Sequence, residues 1–347
     1  MINSNSIPTD IGISNNTALS IINGCFQCGF CTSVCPLRKV SKYNPRGIIH
    51  SALLGHSPSS DDLTTCLTCA QCFEGCPQEI DYPAFIRECR TNIVLSEENF
   101  AHHNVFNLLQ IFTVKMADSG LKFSFEGEID SESAIAYFPG CVDLFDRFLD
   151  LKNVKFHQIG QSAINLMNKV GIKPNLLSLK CCGHDAYWTG DNESFEKLRE
   201  YNAQVIREAG ISTLLVSCAE CYYTFEKLYE LSSIKIQHIS QFIEEHQKAL
   251  GVEGKSITVT YHDPCRLGRF MKEYDTPRTV LKGVGATIIE LANSRENTNC
   301  CGVSAWLRCD DQSRAIMLKK LEEATQAVGN EGTLVVGCNK CFAHLNW

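Results

Sequence analysis

Eighteen of the twenty cysteines in this 347-residue chain stand in four metal-ligand patterns, and nothing else in the sequence restricts the fold as much. Two runs read C-x2-C-x2-C-x3-C-P: Cys25, Cys28, Cys31 and Cys35 before Pro36, and Cys66, Cys69, Cys72 and Cys76 before Pro77. Two further groups each contain a lone Cys, a Cys-Cys-Gly and a closing C-x2-C. They are Cys141, Cys181, Cys182, Cys218 and Cys221, then Cys265, Cys300, Cys301, Cys338 and Cys341. Only Cys89 and Cys309 fall outside, and both are expected to fill core space as small apolar residues. Thiolates at this density and spacing are suited to iron–sulfur clusters, which implies a chain that moves electrons.

The two proline-terminated runs have the spacing of a two-cluster ferredoxin, in which the fourth cysteine of each run ligates the other cluster. One cubane [4Fe–4S] would take Cys25, Cys28, Cys31 and Cys76, and the other Cys66, Cys69, Cys72 and Cys35. Structural zinc is the alternative, but zinc needs only four ligands and usually has a long insert between its C-x2-C units. Pro36 and Pro77 turn the chain after each fourth ligand, because proline fixes φ and has no N–H to donate. Between the runs, Asn44-Pro45-Arg46-Gly47 predicts a turn leading to a short helix over Ile48 to Leu54.

The remainder repeats itself. Corresponding cysteines of the two Cys-Cys-Gly groups lie 119 to 124 positions apart. Ala134–Phe138 and Ile257–Tyr261 read as strands leading to Cys141 and Cys265; Leu214–Val216 and Leu334–Val336 read as strands leading to Cys218 and Cys338. Before each second strand comes a helical pattern, through Phe195, Leu198, Tyr201, Val205 and Ala209, and through Leu318, Leu321, Ala324 and Val328. Alternating strands and helices imply parallel α/β units, with the cysteines at the carboxyl ends of the strands where such sheets place ligands. Adjacent cysteines cannot face the same way in a regular strand, so each pair needs irregular backbone, which Gly183 and Gly302 permit. Five thiolates exceed what a tetrahedral zinc or an ordinary cubane requires. One zinc per repeat with a spare thiol is the blander reading.

The fold class is therefore α+β/α/β: a two-[4Fe–4S] ferredoxin-like, largely helical N-terminal domain, then two pseudo-symmetric α/β Cys-Cys-Gly domains. The expected limits are a frayed tail over 1–23, a dicluster domain over 24–99, a linker helix and polar connector over 100–133, and repeat domains over 134–250 and 251–347, each with its own core. A net charge of −7 argues against nucleic acid or an anionic membrane surface as a partner. No run approaches the roughly 18 apolar residues of a membrane span, so no transmembrane segment is expected. Cysteine clusters in a long chain favour metal sites in a reducing compartment, hence a cytoplasmic location.

Several local runs resemble heterodisulfide reductase, in the iron–sulfur component that carries paired Cys-Cys-Gly domains behind a ferredoxin domain. They are Phe138-Pro-Gly-Cys141, Cys181-Cys-Gly183, Thr189-Gly-Asp191, Ser217-Cys-Ala-Glu-Cys-Tyr222, Tyr261-His-Asp-Pro-Cys265, Leu267-Gly-Arg269, Arg295-Glu-Asn297 and Cys300-Cys-Gly302. The resemblance implies a noncubane [4Fe–4S] cluster in each five-cysteine set and reduction of a disulfide substrate between them, with Cys181, Cys182, Cys300 and Cys301 as cluster-borne catalytic residues. It also implies that electrons arrive from a flavoprotein resembling the flavin-binding component of heterodisulfide reductase, or from a membrane cytochrome, with membrane attachment only through a partner. Arg266 stands where the family commonly has His, and Val303-Ser-Ala-Trp-Leu307 replaces a glycine-rich run.

No G-x-G-x-x-G follows a strand, so the chain is not expected to accept hydride itself. Electrons would pass through the cubanes to the first five-cysteine set and then to the space between the sets. His184, beside Asp185, is a candidate proton donor to a product thiolate. His262 and Asp263 are read as hydrogen-bonding partners of a cluster, and Tyr187 and Trp188 as packing or cavity wall. The basic group Arg38, Lys39, Lys42 and Arg46 is a candidate face for an acidic partner. A pure electron relay without a substrate of its own is the competing function.

Overall fold

Short helices make up the dicluster segment, because each cysteine run leaves too little chain between ligands for anything longer. The computed structural model describes residues 16–91, 105–115, 120–149, 151, 154–251, 254 and 256–346. In each run a left-handed residue, Gly29 (φ 86°) or Ala70 (φ 61°), precedes a helix that carries the third cysteine, Phe30–Val34 or Gln71–Glu74. The helix Pro45–Leu53 begins one turn earlier than the sequence suggests: Asn44 accepts from Gly47 N and Pro45 occupies the first turn. Ser59 and Asp62 form a capping box that starts Ser60–Thr65.

The expected tail is corrected in part. Residues 1–15 lie outside the described residues, but Asn16–Ile22 is a helix whose Ala18 and Ile22 are fully buried against the helix Tyr82–Thr91. Within the expected linker helix and connector over 100–133, the helix Val105–Lys115 is observed; residues 100–104 and 116–119 are outside the described residues.

The repeats form two three-stranded parallel sheets. The first has β1 (Ile135–Phe138), β2 (Thr213–Val216) and β3 (Lys235–His238) in the order β1-β2-β3. The second has β4 (Ile257–His262), β5 (Ala286–Ile288) and β6 (Thr333–Val336) in the order β5-β4-β6. Phe138 pairs with Val216 and His262 with Val336, so β1 and β2 correspond in register to β4 and β6. Where β5 flanks β4, the first half has only a single parallel bridge between Ala136 and Asn175.

Two packing expectations change. Along Asp311–Val328 the buried face runs through Ser313, Ile316, Met317, Lys320 and Ala324, while Leu318 is 52% exposed. Lys320 can occupy that face because its ammonium bonds Glu323 at 2.6 Å. The segments also do not have separate cores: one apolar cluster contains Leu63 and Phe85, Phe138 and Val216, and Val303 and Trp306. No helix among the described residues is long and apolar enough to cross a membrane.

Candidate iron–sulfur centres

The fourth cysteine of the first run stands with the first three of the second. Cys35, Cys66, Cys69 and Cys72 line one cavity of about 320 Å³, walled by Leu37, Tyr43 and Tyr82. Burial pushes the Cys35, Cys66 and Cys72 thiols upward, so a bound cation is what would keep them together as thiolates. Thr68 N points at Cys66 Sγ (3.4 Å). The other group is nearer the surface: Cys28 is exposed, and Cys25, Cys31 and Cys76 are partly buried. A Cβ at Gly75 would lie 2.4 Å from the Phe30 ring, so glycine lets the Cys76 loop approach the helix bearing Cys31.

In the repeats, strand ends deliver the cysteines. Two residues past their strands, Cys218 and Cys338 stand at the N-cap positions of the helices Ala219–Lys227 and Asn339–Leu345, which hold Cys221 and Cys341 in their first turns. Gly183 (φ 82°) and Gly302 (φ 106°) follow the paired cysteines in the left-handed region, as the adjacent thiols require. The second set, Cys265, Cys300, Cys301, Cys338 and Cys341, lines a cavity of about 330 Å³; Cys301 and Cys341 Sγ are 3.2 Å apart. The first set, Cys141, Cys181, Cys182, Cys218 and Cys221, lines one of about 590 Å³, closed by Trp306, Asn339 and Lys340 of the second half. Cys218 and Cys338 lie within hydrogen-bonding reach of each other, so the sets adjoin.

The dicluster segment abuts the second set, which reverses the expected order of contact. Cys69 and Cys300 are within hydrogen-bonding reach, Leu67 lines both neighbouring cavities, and Arg269 Nε donates to Cys69 O at 2.7 Å. Ser304 Oγ reaches Cys66 O at 3.4 Å.

Between the two sets lies a buried charge network that the sequence reading missed. Lys340 Nζ bonds Asp185 Oδ1 (2.6 Å) and Ser304 O (2.9 Å) and lies 3.3 Å from Glu220 Oε2. Glu220 and Lys340 occupy equivalent places in Cys218-Ala-Glu-Cys221 and Cys338-Asn-Lys-Cys341. Opposite charges at repeat-equivalent positions were therefore the available signal. Burial, with repulsion from Asp185, pushes the Glu220 carboxyl well above the usual range, whereas Lys340 and His184 overcome burial to hold Asp185 down at about 2.

His184 reaches the first cavity, but its nitrogens are already engaged. Arg266 Nε donates to His184 Nε2 at 2.9 Å, while Nδ1 faces Asp185 at 3.0 Å. Burial takes the imidazole down to about 4, so at neutral pH its one proton sits on Nδ1, facing the carboxyl groups of Asp185 and Glu220. Arg266 also donates to Thr68 O and Oγ1 at 2.7 and 3.0 Å, and its guanidinium lies 4.1 Å from the Trp188 ring and 4.3 Å from Phe270.

The other candidates sort by contact. Asp263 does not hydrogen-bond a cysteine: its carboxylate takes both Arg278 terminal nitrogens (2.7 and 2.9 Å) and Arg295 N (2.8 Å). Tyr187 stacks under Arg87 at 4.1 Å. Cys89 is in the core, and Cys309 is half-buried. Lys39 bonds Asn299 Oδ1, while Arg38, Lys42 and Arg46 are exposed.

Four groups of four or five sulfurs, largely buried and ordered by short turns, fit iron–sulfur clusters chemically. Comparison with known proteins agrees. Residues 21–80 match a 4Fe-4S dicluster domain, and residues 135–226 and 259–346 each match a cysteine-rich domain. An uncharacterized iron–sulfur protein of Methanococcus maripaludis is 25% identical over 93% of this chain and 67% of its own length. The D-type subunit of the dihydromethanophenazine:CoB–CoM heterodisulfide reductase of Methanosarcina mazei is 25% identical over 94% of this chain and 89% of its own. The EtfAB:quinone oxidoreductase of Syntrophomonas wolfei is 25% identical over 85% of this chain and 44% of its own. No solved structure matches. The chain belongs to the cysteine-rich domain family: an iron–sulfur protein with a 4Fe-4S dicluster domain followed by two cysteine-rich domains, similar along nearly its whole length to the D-type subunit of heterodisulfide reductase.

Proposed function

We propose that this chain is the iron–sulfur subunit of an oxidoreductase complex that reduces a disulfide to two thiols between its two five-cysteine sets. The supporting observation is that both sets are complete and adjoin at Cys218 and Cys338, with a cavity of about 590 Å³ opening on the first set under Trp306. Cys25, Cys28, Cys31 and Cys76 would hold one cubane and Cys66, Cys69, Cys72 and Cys35 the other. The two five-cysteine sets would each hold a noncubane [4Fe–4S] cluster. Such clusters, when bound, supply single electrons, two of which with two protons convert one disulfide into two thiols.

The chain's own groups shape that site. Trp306 meets the Phe145 ring edge-on at 6.2 Å and narrows the cavity. Glu220 lines the cavities of both sets, and burial pushes its carboxyl well above the usual range. Lys340 fixes the carboxyl groups of Asp185 and Glu220 in place. The electron donor would be a flavoprotein or a membrane cytochrome, and the chain would be cytoplasmic, reaching a membrane only through that partner. A relay without its own substrate is the second reading, favoured by the similarity to EtfAB:quinone oxidoreductase.

Anaerobically purified protein should carry about sixteen iron atoms per chain, four for each of four clusters. About eight iron with zinc in the remainder would remove the five-cysteine assignment. Reduced protein given an artificial donor should turn over a thiol disulfide, and Cys181→Ser or Cys300→Ser should each abolish turnover. Fully loaded protein that reduces no disulfide but passes electrons to a co-purifying partner would replace the reductase with the relay.

A further inference from the structure

The two five-cysteine sets differ at one matched position. Phe138 ends β1 opposite Val216, and His262 ends β4 opposite Val336, so phenyl and imidazole stand in the same register of the two halves. The Phe138 ring packs edge-on against Phe123 and Phe225. The His262 ring, 1% exposed, instead lies beside sulfur: the ligating atoms of His262, Cys301 and Cys341 are all within 4.8 Å of one another. Neither of its ring nitrogens has a hydrogen-bond partner of good geometry among the described residues. Its neighbour Asp263 does not compete, since that carboxylate is taken by Arg278 and Arg295 N. A buried polar ring left without a partner calls for an explanation, and here the groups it faces are two cysteines of one set.

We propose that His262 is a direct contact of the cluster bound by the second five-cysteine set, donating its ring N–H to the Cys301–Cys341 sulfurs and raising that cluster's reduction potential above the first's. The inference rests on the reading that the second set holds an iron–sulfur cluster. A donor at a ligand sulfur draws negative charge from it, which favours the reduced state. At the position matched to His262 the first set has Phe138, which carries no donor, and His184 beside Cys182 is engaged by Arg266 and Asp185. Positive charge stands near both sets, Arg266 lining the second set's cavity and Lys340 the first's, so the matched His262 and Phe138 are the difference between them. The second set, the one that abuts Cys69 of the dicluster segment, is thus the more electron-accepting of the two.

The test uses the full chain, purified anaerobically, with nitrogen-15 histidine and the variant His262→Phe, which installs the first half's residue. Pulsed EPR of the wild type should show a histidine nitrogen coupled to one five-cysteine cluster. In His262→Phe that coupling should disappear and one midpoint potential should fall, with iron content and the other potentials unmoved. A wild type without the coupling, or a fully loaded variant with an unshifted potential, overturns the proposal. Should the phenylalanine variant not accumulate, His262→Gln is read the same way: losing the imidazole coupling supports the contact, and keeping it refutes it. A wild type with no iron in the second set would overturn the cluster reading itself, and the iron count tells that failure apart from the others.

Discussion

Replacing Lys340 with methionine should destabilise the protein at pH 7 by about 3–5 kcal/mol, the usual cost of removing one partner from a buried ion pair. The ammonium is buried and serves Asp185, Glu220 and the Ser304 carbonyl at once. Methionine fills much of the volume and leaves two carboxyl groups facing each other in a site without that cation. The pH dependence should then invert at Asp185. In the wild type this carboxyl is held at about 2 when folded, below its ordinary 3.8. Its contribution is therefore complete above about 4 and lost as pH falls toward 2. Without Lys340 the folded pKa rises above the unfolded one, so acidification from pH 7 to pH 5 should recover stability. Apparent melting temperatures of both proteins at the two pH values decide this; an equal deficit at both would mean that Lys340 contributes packing rather than charge.

Arg266→Ala should be of comparable size, again about 3–5 kcal/mol. It removes a guanidinium held between Trp188 and Phe270, and it strands His184 Nε2 and both Thr68 acceptors in the interior. The lost ring contacts, worth up to ~2 kcal/mol for a desolvated cation–π pair, push the loss toward the upper end of that range. Arg266→Lys should restore only a minor part, because a single ammonium cannot hold two acceptors and stack flat on a ring. Arg266→His should also fall short, since imidazole lacks the reach to span His184 and Thr68. Melting temperatures of the three variants test this order; full rescue by lysine would show that charge alone matters there.

Much of the candidate site was legible because cysteine spacing is a local geometric constraint. The crossing of Cys35 to the second run follows from a ferredoxin-type repeat, and the left-handed Gly183 and Gly302 follow from two thiols that cannot share a strand face. Parallel strands leading to Cys141, Cys218, Cys265 and Cys338 were readable from apolar runs placed before ligands. The short strands β3 and β5 were not. Lys235–His238 begins with an exposed lysine, and Ala286–Ile288 is only three residues long. Helix faces were only half readable: Leu318 fits the apolar spacing, yet Lys320 takes the buried place because Glu323 neutralises it.

By itself the sequence determined the ligand groups, the internal repeat and the parallel α/β design, all of which depend on residues near one another in the chain or on a regular period. Only the tertiary structure decided which groups meet. Cys69 reaches Cys300, Arg266 joins Thr68 to His184, and Glu220 faces Lys340 across the two halves. These contacts depend on how separate elements pack into one shared core, and no spacing within a single element carries that information.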